Sequence, residues 1–341
     1  MIHDCQQTAI TVVRLGRGLN STEVENTLSL ANNIQRAFHF KLYKEVLPLA
    51  DTYKLPNGSY ELCGAAKSLI HSRKYKNLPR PLILLSSVPF GDLEYAQEPG
   101  WFFFYSQEQD YDPQVSIIST HPLEVLPKIR TLQHYLLMIL ATDILTKYAD
   151  LGFHQESRGC LFDYCDELKD IENCFRVGRL CDECERQLQN KIRRSQVGLE
   201  KVAAAIRLFN RAVGRKYCFI VMPFRDELQQ TYEIIRQALI ELGWDVKRAD
   251  EVTFPRLITN LILKEIITSD LVVADLTGHD PNVFFEVGVT QTVGNDLLMI
   301  TQGHEIPFDI KNEQAVFYKT DVQSLQDLKQ KLKKFAGSGL I

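Results

Sequence analysis

The chain has 341 residues, of which 45% are hydrophobic, and a formal net charge of −4 at pH 7. A normal packed core is possible, the length suits two domains, and the charge gives no global case for binding nucleic acid or a membrane surface. No apolar run reaches the length of a membrane span, and the longest candidate, near Tyr135 to Leu145, is cut by Thr142 and Asp143. The N-terminus, MIHDCQQTAITVVRLGRG, lacks the basic start and apolar block of a signal peptide. A cytoplasmic protein is expected, and its eight cysteines should then be thiols or metal ligands rather than disulfides. No internal repeat or low-complexity tract is visible.

Thr8 to Leu15 reads as a first strand. Thr22 and Glu25 form a capping box for a helix to about Ala37. Phe38 to Tyr43 reads as extended. Pro56-Asn57-Gly58 is a turn signal, and Ser59 to Ser72 looks helical, with Leu62, Ala66 and Leu69 on one face. Three buried-strand signals follow: Pro81 to Val88, Gly100 to Ser106 and Gln114 to Thr120. The aromatic run Trp101 to Tyr105 reads as core rather than as a base-stacking surface. Leu123 to Leu151 has a helical period, with His134 on a face crowded by Leu136, Leu137, Ile139 and Leu140. Such a histidine is more often structural than a ligand.

The stretch from His154 to Cys184 holds two close cysteine pairs, Cys160 with Cys165 and Cys181 with Cys184. Two such pairs separated by a short spacer are the arrangement of a tetrahedral structural zinc site, closed to chemistry by its four ligands. Acidic and basic residues surround the pairs, which argues against four cysteines buried in an apolar core. Cys174 is read as a bystander, and His154 as a residue that could replace one cysteine. Leu188 to Arg211 then reads as one charged amphipathic helix. Its basic cluster, Lys191, Arg193 and Arg194, reads as a solvated face, so nucleic-acid contact is not expected.

From Tyr217 onward strand and helix alternate: a strand at Tyr217 to Met222, a helix at Glu227 to Leu242, a strand at Trp244 to Arg248 and a helix at Arg256 to Thr268. A strand follows at Leu271 to Ala274, then a helix from Pro281, a strand at Leu297 to Thr301, a loop at Pro307-Phe308-Asp309, a short strand at Ala315 to Tyr318 and a closing helix at Ser324 to Phe335. This alternation predicts a doubly wound parallel sheet. Asp275 ends its strand, Asp280 caps the next helix, and Pro281 fits its first turn. That helix is apolar almost all round and should be buried, yet it carries Glu286. A buried carboxylate costs several kcal/mol, order of magnitude, unless paired or hydrogen-bonded. Glu286 has no Lys or Arg within a helical turn, so a functional reading is favoured. Ligands of such sheets bind beyond the carboxyl ends of the strands, the edge expected to hold Asp275, Asp280 and Glu286.

The blocks FIVMPF at 219–224, RAD at 248–250, ADLTG at 274–278 and DPNVFFEVG at 280–288 resemble, in this order, the nucleoside 2-deoxyribosyltransferase-like superfamily. These are relatives of TIR and nucleotide N-glycosidase domains. The resemblance implies that Glu286 is the nucleophile at the sugar's anomeric carbon and that Asp280 shares its pocket. The sequence departs from the usual pattern at Glu286-Val287-Gly288 and at Asn295-Asp296, which bears on substrate identity.

More faintly, ILLSS, WFFFYS, VSIIST, a long helix, a cysteine pair and a closing CxxC are similar to archaemetzincins. HExxH is absent, and only His154-Gln155-Glu156 before Arg158-Gly159-Cys160 resembles the end of the family's motif. The resemblance implies an α+β zincin-like domain over 1–188 with its structural zinc kept at Cys160, Cys165, Cys181 and Cys184 and no peptidase activity. A linker helix at 189–214 and the deoxyribosyltransferase-like domain at 215–341 complete the expected organisation.

Cleaving an N-glycosidic bond builds positive charge on the sugar, which a carboxylate stabilises or attacks. Glu286 is assigned that role, with Asp280 or Asp275 positioning the sugar or protonating the departing base. Phe219, Met222, Pro223 and Phe224 would wall the base, Asp250 would hold the ribose, and the helix start from Thr277 through Gly278 to Asn282 would meet a phosphate. The expected activity is an N-glycosidase acting on a nucleoside or (deoxy)nucleotide, by hydrolysis or transfer. By association with such domains it would be an antiphage defence effector with a defence-system partner. A TIR-like NAD hydrolase and a non-catalytic nucleotide sensor are the alternatives. The resemblance also implies a homo-oligomer in which neighbouring subunits complete the pocket.

Overall fold

The computed structural model of the protein describes residues 7–16, 18–61, 77–91, 114–121, 131–165, 167–194, 198–251, 258–303 and 315–337. The strand expected at Gly100 to Ser106, the loop at Pro307-Phe308-Asp309 and most of the helix expected at Ser59 to Ser72 lie outside these residues. The chain divides into two compact units, Met1–Glu185 and Arg186–Ile341.

In the first unit, β1 (Thr8–Leu15), β2 (Phe38–Leu47), β4 (Leu82–Ser86) and β6 (Val115–Ser119) form a parallel sheet in the order β2-β1-β4-β6. The short β3 (Tyr60–Glu61) pairs with β5 (Phe90–Gly91). Tyr60 and Glu61 are thus extended where a helix was expected to begin. The turn at Pro56-Asn57-Gly58 is present, with Gly58 N–H donating to Leu55 O and Gly58 at φ +89°.

Helix α1 (Ser21–Asn33) is capped by Asn20, whose side chain accepts from the Thr22 and Glu23 N–H groups, rather than by a Thr22 capping box. It ends short of Ala37 because Gln35 bridges out of it. The Gln35 amide donates to Ala31 O and Phe38 O and accepts from Phe38 N, turning the chain into β2. The long helix α2 (Leu132–Ala149) is buried along most of its length. Its Asp143 and Lys147 meet Ser116 of β6: Ser116 Oγ donates to Asp143 Oδ1, and Lys147 Nζ lies 2.8 Å from Ser116 Oγ and 3.0 Å from Asp143 Oδ2. A buried carboxylate is tolerated when paired in this way.

Helix α3 (Leu168–Val177) is followed by α4 (Asp182–Arg194) and α5 (Leu199–Val213). The single helix expected over 188–211 is therefore two, and the second starts after Gly198, a left-handed residue at φ +81°. A residue with φ above zero cannot continue a right-handed helix.

The second unit holds β7 (Tyr217–Val221), β8 (Asp245–Arg248), β9 (Leu271–Asp275), β10 (Asp296–Thr301) and β11 (Ala315–Phe317), all parallel, in the order β11-β10-β9-β7-β8. The connecting helices are α6 (Gln229–Ile240), α7 (Ile258–Thr268), α8 (Pro281–Val293) and α9 (Val322–Gly337). Side chains alternate across the sheet. Cys218, Ile220 and Met222 pack with Tyr232, Ile235 and Leu239 of α6 and with Leu325, Leu328 and Leu332 of α9. Helices α5, α7 and α8 pack on one another against the other face. Strand order reverses between β7 and β9, and doubly wound sheets bind ligands in the crevice expected at the carboxyl edge of such a reversal. Among the described residues no helix is long and apolar enough to cross a membrane.

Candidate functional site

Two loops meet over the reversal point. One follows β7 and runs from Met222 to Asp226; the other follows β9 and runs from Leu276 to Asp280. Gly278, at φ +77°, turns the second loop, and Arg225 lies on it: a Cβ at position 278 would stand 2.6 Å from Arg225 Nη1. Arg225 was not foreseen. Its signal in the sequence was its place directly after FIVMPF.

Asp280 ends the second loop as the cap of α8. Its Oδ1 accepts from Asn282 N–H at 2.9 Å and from Asn282 Nδ2 at 3.1 Å, while Pro281 fills the first helical position. The buried stripe of α8 comprises Val283, Glu286, Val287, Thr290 and Val293. Glu286 therefore faces the interior and is only 8% exposed. Among the described residues its carboxylate has no hydrogen bond or ion pair. Burial first, and then the nearby Asp280 charge, push its pKa up to about 7.

The outer side of α8 is not covered. Phe285 is 60% exposed and Phe224, on the first loop, 62%. The expectation that this helix is buried all round is corrected to a helix buried on one stripe.

Other expected site residues are buried or already engaged. Asp275 is fully buried, and its carboxylate is occupied. Oδ1 accepts from the Thr277 N–H at 3.0 Å and the Thr277 hydroxyl at 2.5 Å, and Oδ2 accepts from the Tyr318 hydroxyl at 2.5 Å. Gln302 joins the knot by donating to Thr277 Oγ1 from its backbone and to Tyr318 from its side chain. Burial still pushes the Asp275 carboxyl up against these bonds. Asp250 is held by both ends of the Arg248 guanidinium, at 2.7 and 2.5 Å, and Arg248 stacks 3.9 Å over the Tyr232 ring. A carboxylate so engaged is not offered to a ribose.

Phe219 is fully buried within β7, and Met222 packs into the α6 side of the core, so these two do not wall a pocket. Pro223 and Phe224 remain at the edge. Asn295, one of the departures from the family pattern, is buried at the amino end of β10, where it bonds Arg207, Ile266 and Ser269. That is the opposite edge from the crevice, so the departure does not touch this site.

The first unit carries a second constellation. His154, Cys160, Cys181 and Cys184 bring their ligand atoms within 4.8 Å of one another. Cys160 Sγ is 3.7 Å from Cys184 Sγ, and Cys181 Sγ is 3.4 Å from His154 Nε2. With Zn–S bonds of about 2.3 Å and Zn–N of about 2.0 Å, the edges of a tetrahedron are roughly 3.8 and 3.5 Å. The donor set and its spacing therefore fit zinc.

The outer shell fits as well. His154 Nδ1 faces Asp163 Oδ1 at 3.3 Å and Glu156 O at 3.1 Å. The other Asp163 oxygen accepts from the N–H groups of Arg158 and Cys160, which fixes the ligand loop. Backbone N–H groups of Phe162 and Cys181 point at Cys160 Sγ, as a thiolate ligand requires. The expected fourth cysteine, Cys165, stands outside this cluster. Its Sγ lies 3.5 Å from Cys174 Sγ instead, and His154 takes the fourth corner. Glu156 is exposed and pairs with Arg158 at 2.6 Å, so His154 and Glu156 do not form a peptidase pair.

No family model and no curated protein matches the chain. Its two parts are similar to two different kinds of solved structure. The N-terminal half is similar to archaemetzincin (amzA) from Methanopyrus kandleri, at 13% identity and a TM-score of 0.38, over 55% of this chain and 97% of that one. A zinc-dependent peptidase from Methanocorpusculum labreanum is similar at 14% identity and a TM-score of 0.35, over 52% of this chain and 99% of that one. The C-terminal portion is similar to the 2-deoxyribosyltransferase of Bacillus psychrosaccharolyticus, at 18% identity and a TM-score of 0.28, over 33% of this chain and 90% of that one. It is also similar to the Clostridium botulinum CMP N-glycosidase BcmB, at 21% identity and a TM-score of 0.26, over 34% of this chain and 99% of that one.

Proposed function

We propose that the second unit cleaves the N-glycosidic bond of a nucleoside or nucleotide, with Glu286 as the nucleophile. The observation that carries this reading is a carboxylate on a buried residue with no partner among the described residues, on the helix that begins at the reversal point. A group left so costly in the folded state fits a role in which a substrate supplies the missing partner. The positive charge that develops on a sugar ring is such a partner.

In this mechanism a Glu286 oxygen attacks the anomeric carbon as the carbon–nitrogen bond breaks. The base leaves with that electron pair and takes a proton. Water then cleaves the glycosyl ester and restores the carboxylate; a second base in place of water gives transfer. Asp280 is assigned to the sugar through Oδ2, since Oδ1 is occupied by Asn282. Asp275, with both oxygens engaged, is assigned to holding the loop.

The test is base release from a panel of nucleosides, (deoxy)nucleotides and NAD⁺, followed by chromatography for the protein and its Glu286→Gln variant. Release that disappears in the variant is expected. Release that persists in the variant would remove Glu286 from the chemistry, and nicotinamide as the released base would select the NAD reading. No release from any member would leave ligand sensing as the activity of the crevice. Exposed Phe224 and Phe285 beside the crevice support a second copy completing it, for which light scattering should report a dimer or larger species.

For the first unit we infer a structural zinc held by His154, Cys160, Cys181 and Cys184. Four protein ligands leave no open position, so the metal would hold the loops together rather than activate water. Elemental analysis should find about one zinc per chain, and His154→Ala should lose it.

A further inference from the structure

Cys165 and Cys174 have no part in either site, yet their sulfurs are in contact at 3.5 Å. We propose that they are a redox pair that forms a reversible disulfide under hydroperoxide while the neighbouring metal ligands stay reduced. Cys165 is half-buried and lies between the ligand loop and α3, outside any helix or strand, where an oxidant can reach it. Cys174 is buried on α3, with Asp163 Oδ2 at 3.5 Å on its other side. The three cysteines of the metal cluster are all buried. Exposure therefore separates a thiol that is reached first from thiols that are shielded, and contact supplies the partner that resolves it.

The steps balance. The Cys165 thiolate attacks one hydroperoxide oxygen, the O–O bond breaks, and the leaving alkoxide or hydroxide takes a proton. Cys165 is now a sulfenic acid. The Cys174 sulfur attacks the Cys165 sulfur, the S–O bond breaks, and water leaves with the Cys174 proton. The two thiols have lost two electrons to the peroxide, and an external dithiol returns them by exchange.

The chemistry reaches the metal shell through one group. Asp163 touches Cys174 with the oxygen that holds the Arg158 and Cys160 N–H groups, and its other oxygen faces His154.

The test uses the full chain as isolated with its metal. After peroxide treatment, unreacted thiols are blocked and the protein is digested with trypsin. The expected product is a link between peptides 159–169 and 170–176 with a loss of two hydrogens. Fragmentation should place the bond on Cys165, not Cys160, with zinc content unchanged and full reversal by a dithiol. Cys165→Ser and Cys174→Ser should each abolish the link and keep the metal. Loss of zinc from Cys165→Ser would make Cys165 a ligand and overturn the proposal. So would a link that engages Cys160, Cys181 or Cys184 first, or the absence of any link in the metal-loaded wild type.

Discussion

Replacing Glu286 with Gln should remove activity and, at alkaline pH, make the second unit more stable. The folded-state pKa is about 7 against an ordinary value of 4.5. Between those values the folded protein binds a proton that the unfolded chain has released, so stability falls as pH rises through this window and is fully lowered above it. At about 1.4 kcal/mol per unit the gap is worth roughly 2–4 kcal/mol. Gln carries no charge at any pH and escapes this cost. The variant should therefore match wild type near pH 4 and exceed it by roughly 2–4 kcal/mol at pH 8.

The sequence holds two tryptophans, and Trp244 packs in the core of the second unit. Urea unfolding followed by fluorescence in a Trp101→Phe background reports that unit alone. Equal stabilities for variant and wild type at both pH values would refute the reasoning, because Glu286 would then have a partner in the folded protein.

Base release should itself depend on pH through the same group. Attack needs the ionised form, so kcat/KM should rise about tenfold per pH unit below about 7 and level off above it; a flat profile from pH 5 to 8 would exclude Glu286 as the nucleophile. Tyr318→Phe removes a donor from buried Asp275 and should cost about 1–3 kcal/mol at pH 7 in urea unfolding. That loss should shrink in acid as Asp275 takes a proton. Asp163→Asn should weaken zinc binding about 10- to 100-fold in competition with a chelator, by loosening His154 and the ligand loop.

Strands β4, β6, β7 and β9 were legible because buried parallel strands leave continuous apolar runs, and β1 spans Thr8–Leu15 as read. Helix ends were less so. Asn20 and Thr22 are both good caps by residue type, and the choice of Asn20 is made by backbone geometry. The break before Leu199 was hidden because the hydrophobic period continues across it.

At the site, Asp275 and Asp280 look alike in the sequence. What separates them is Tyr318, which donates to Asp275 from 43 residues away. The division of Phe219 and Met222 between opposite faces could have been read from the twofold period of a strand. The exchange of Cys165 for His154 could not be read from cysteine spacing, since two cysteines four residues apart suit a metal whether or not both reach it.

The knot of Asp275, Thr277, Gln302 and Tyr318 has a consequence for how this crevice could acquire new substrates. It fastens the ends of β9, β10 and the chain after β11 to one another through buried polar contacts. A change in the knot disturbs several interlocked bonds at once and is felt as lost stability. Phe224 and Arg225, on the loop after β7, are exposed, and the Arg225 side chain has no polar bond among the described residues. Substitutions there are nearly free of folding cost. Variation in substrate range should therefore accumulate in the loop after β7, and a library aimed at altered specificity is best confined to the exposed residues 224–226.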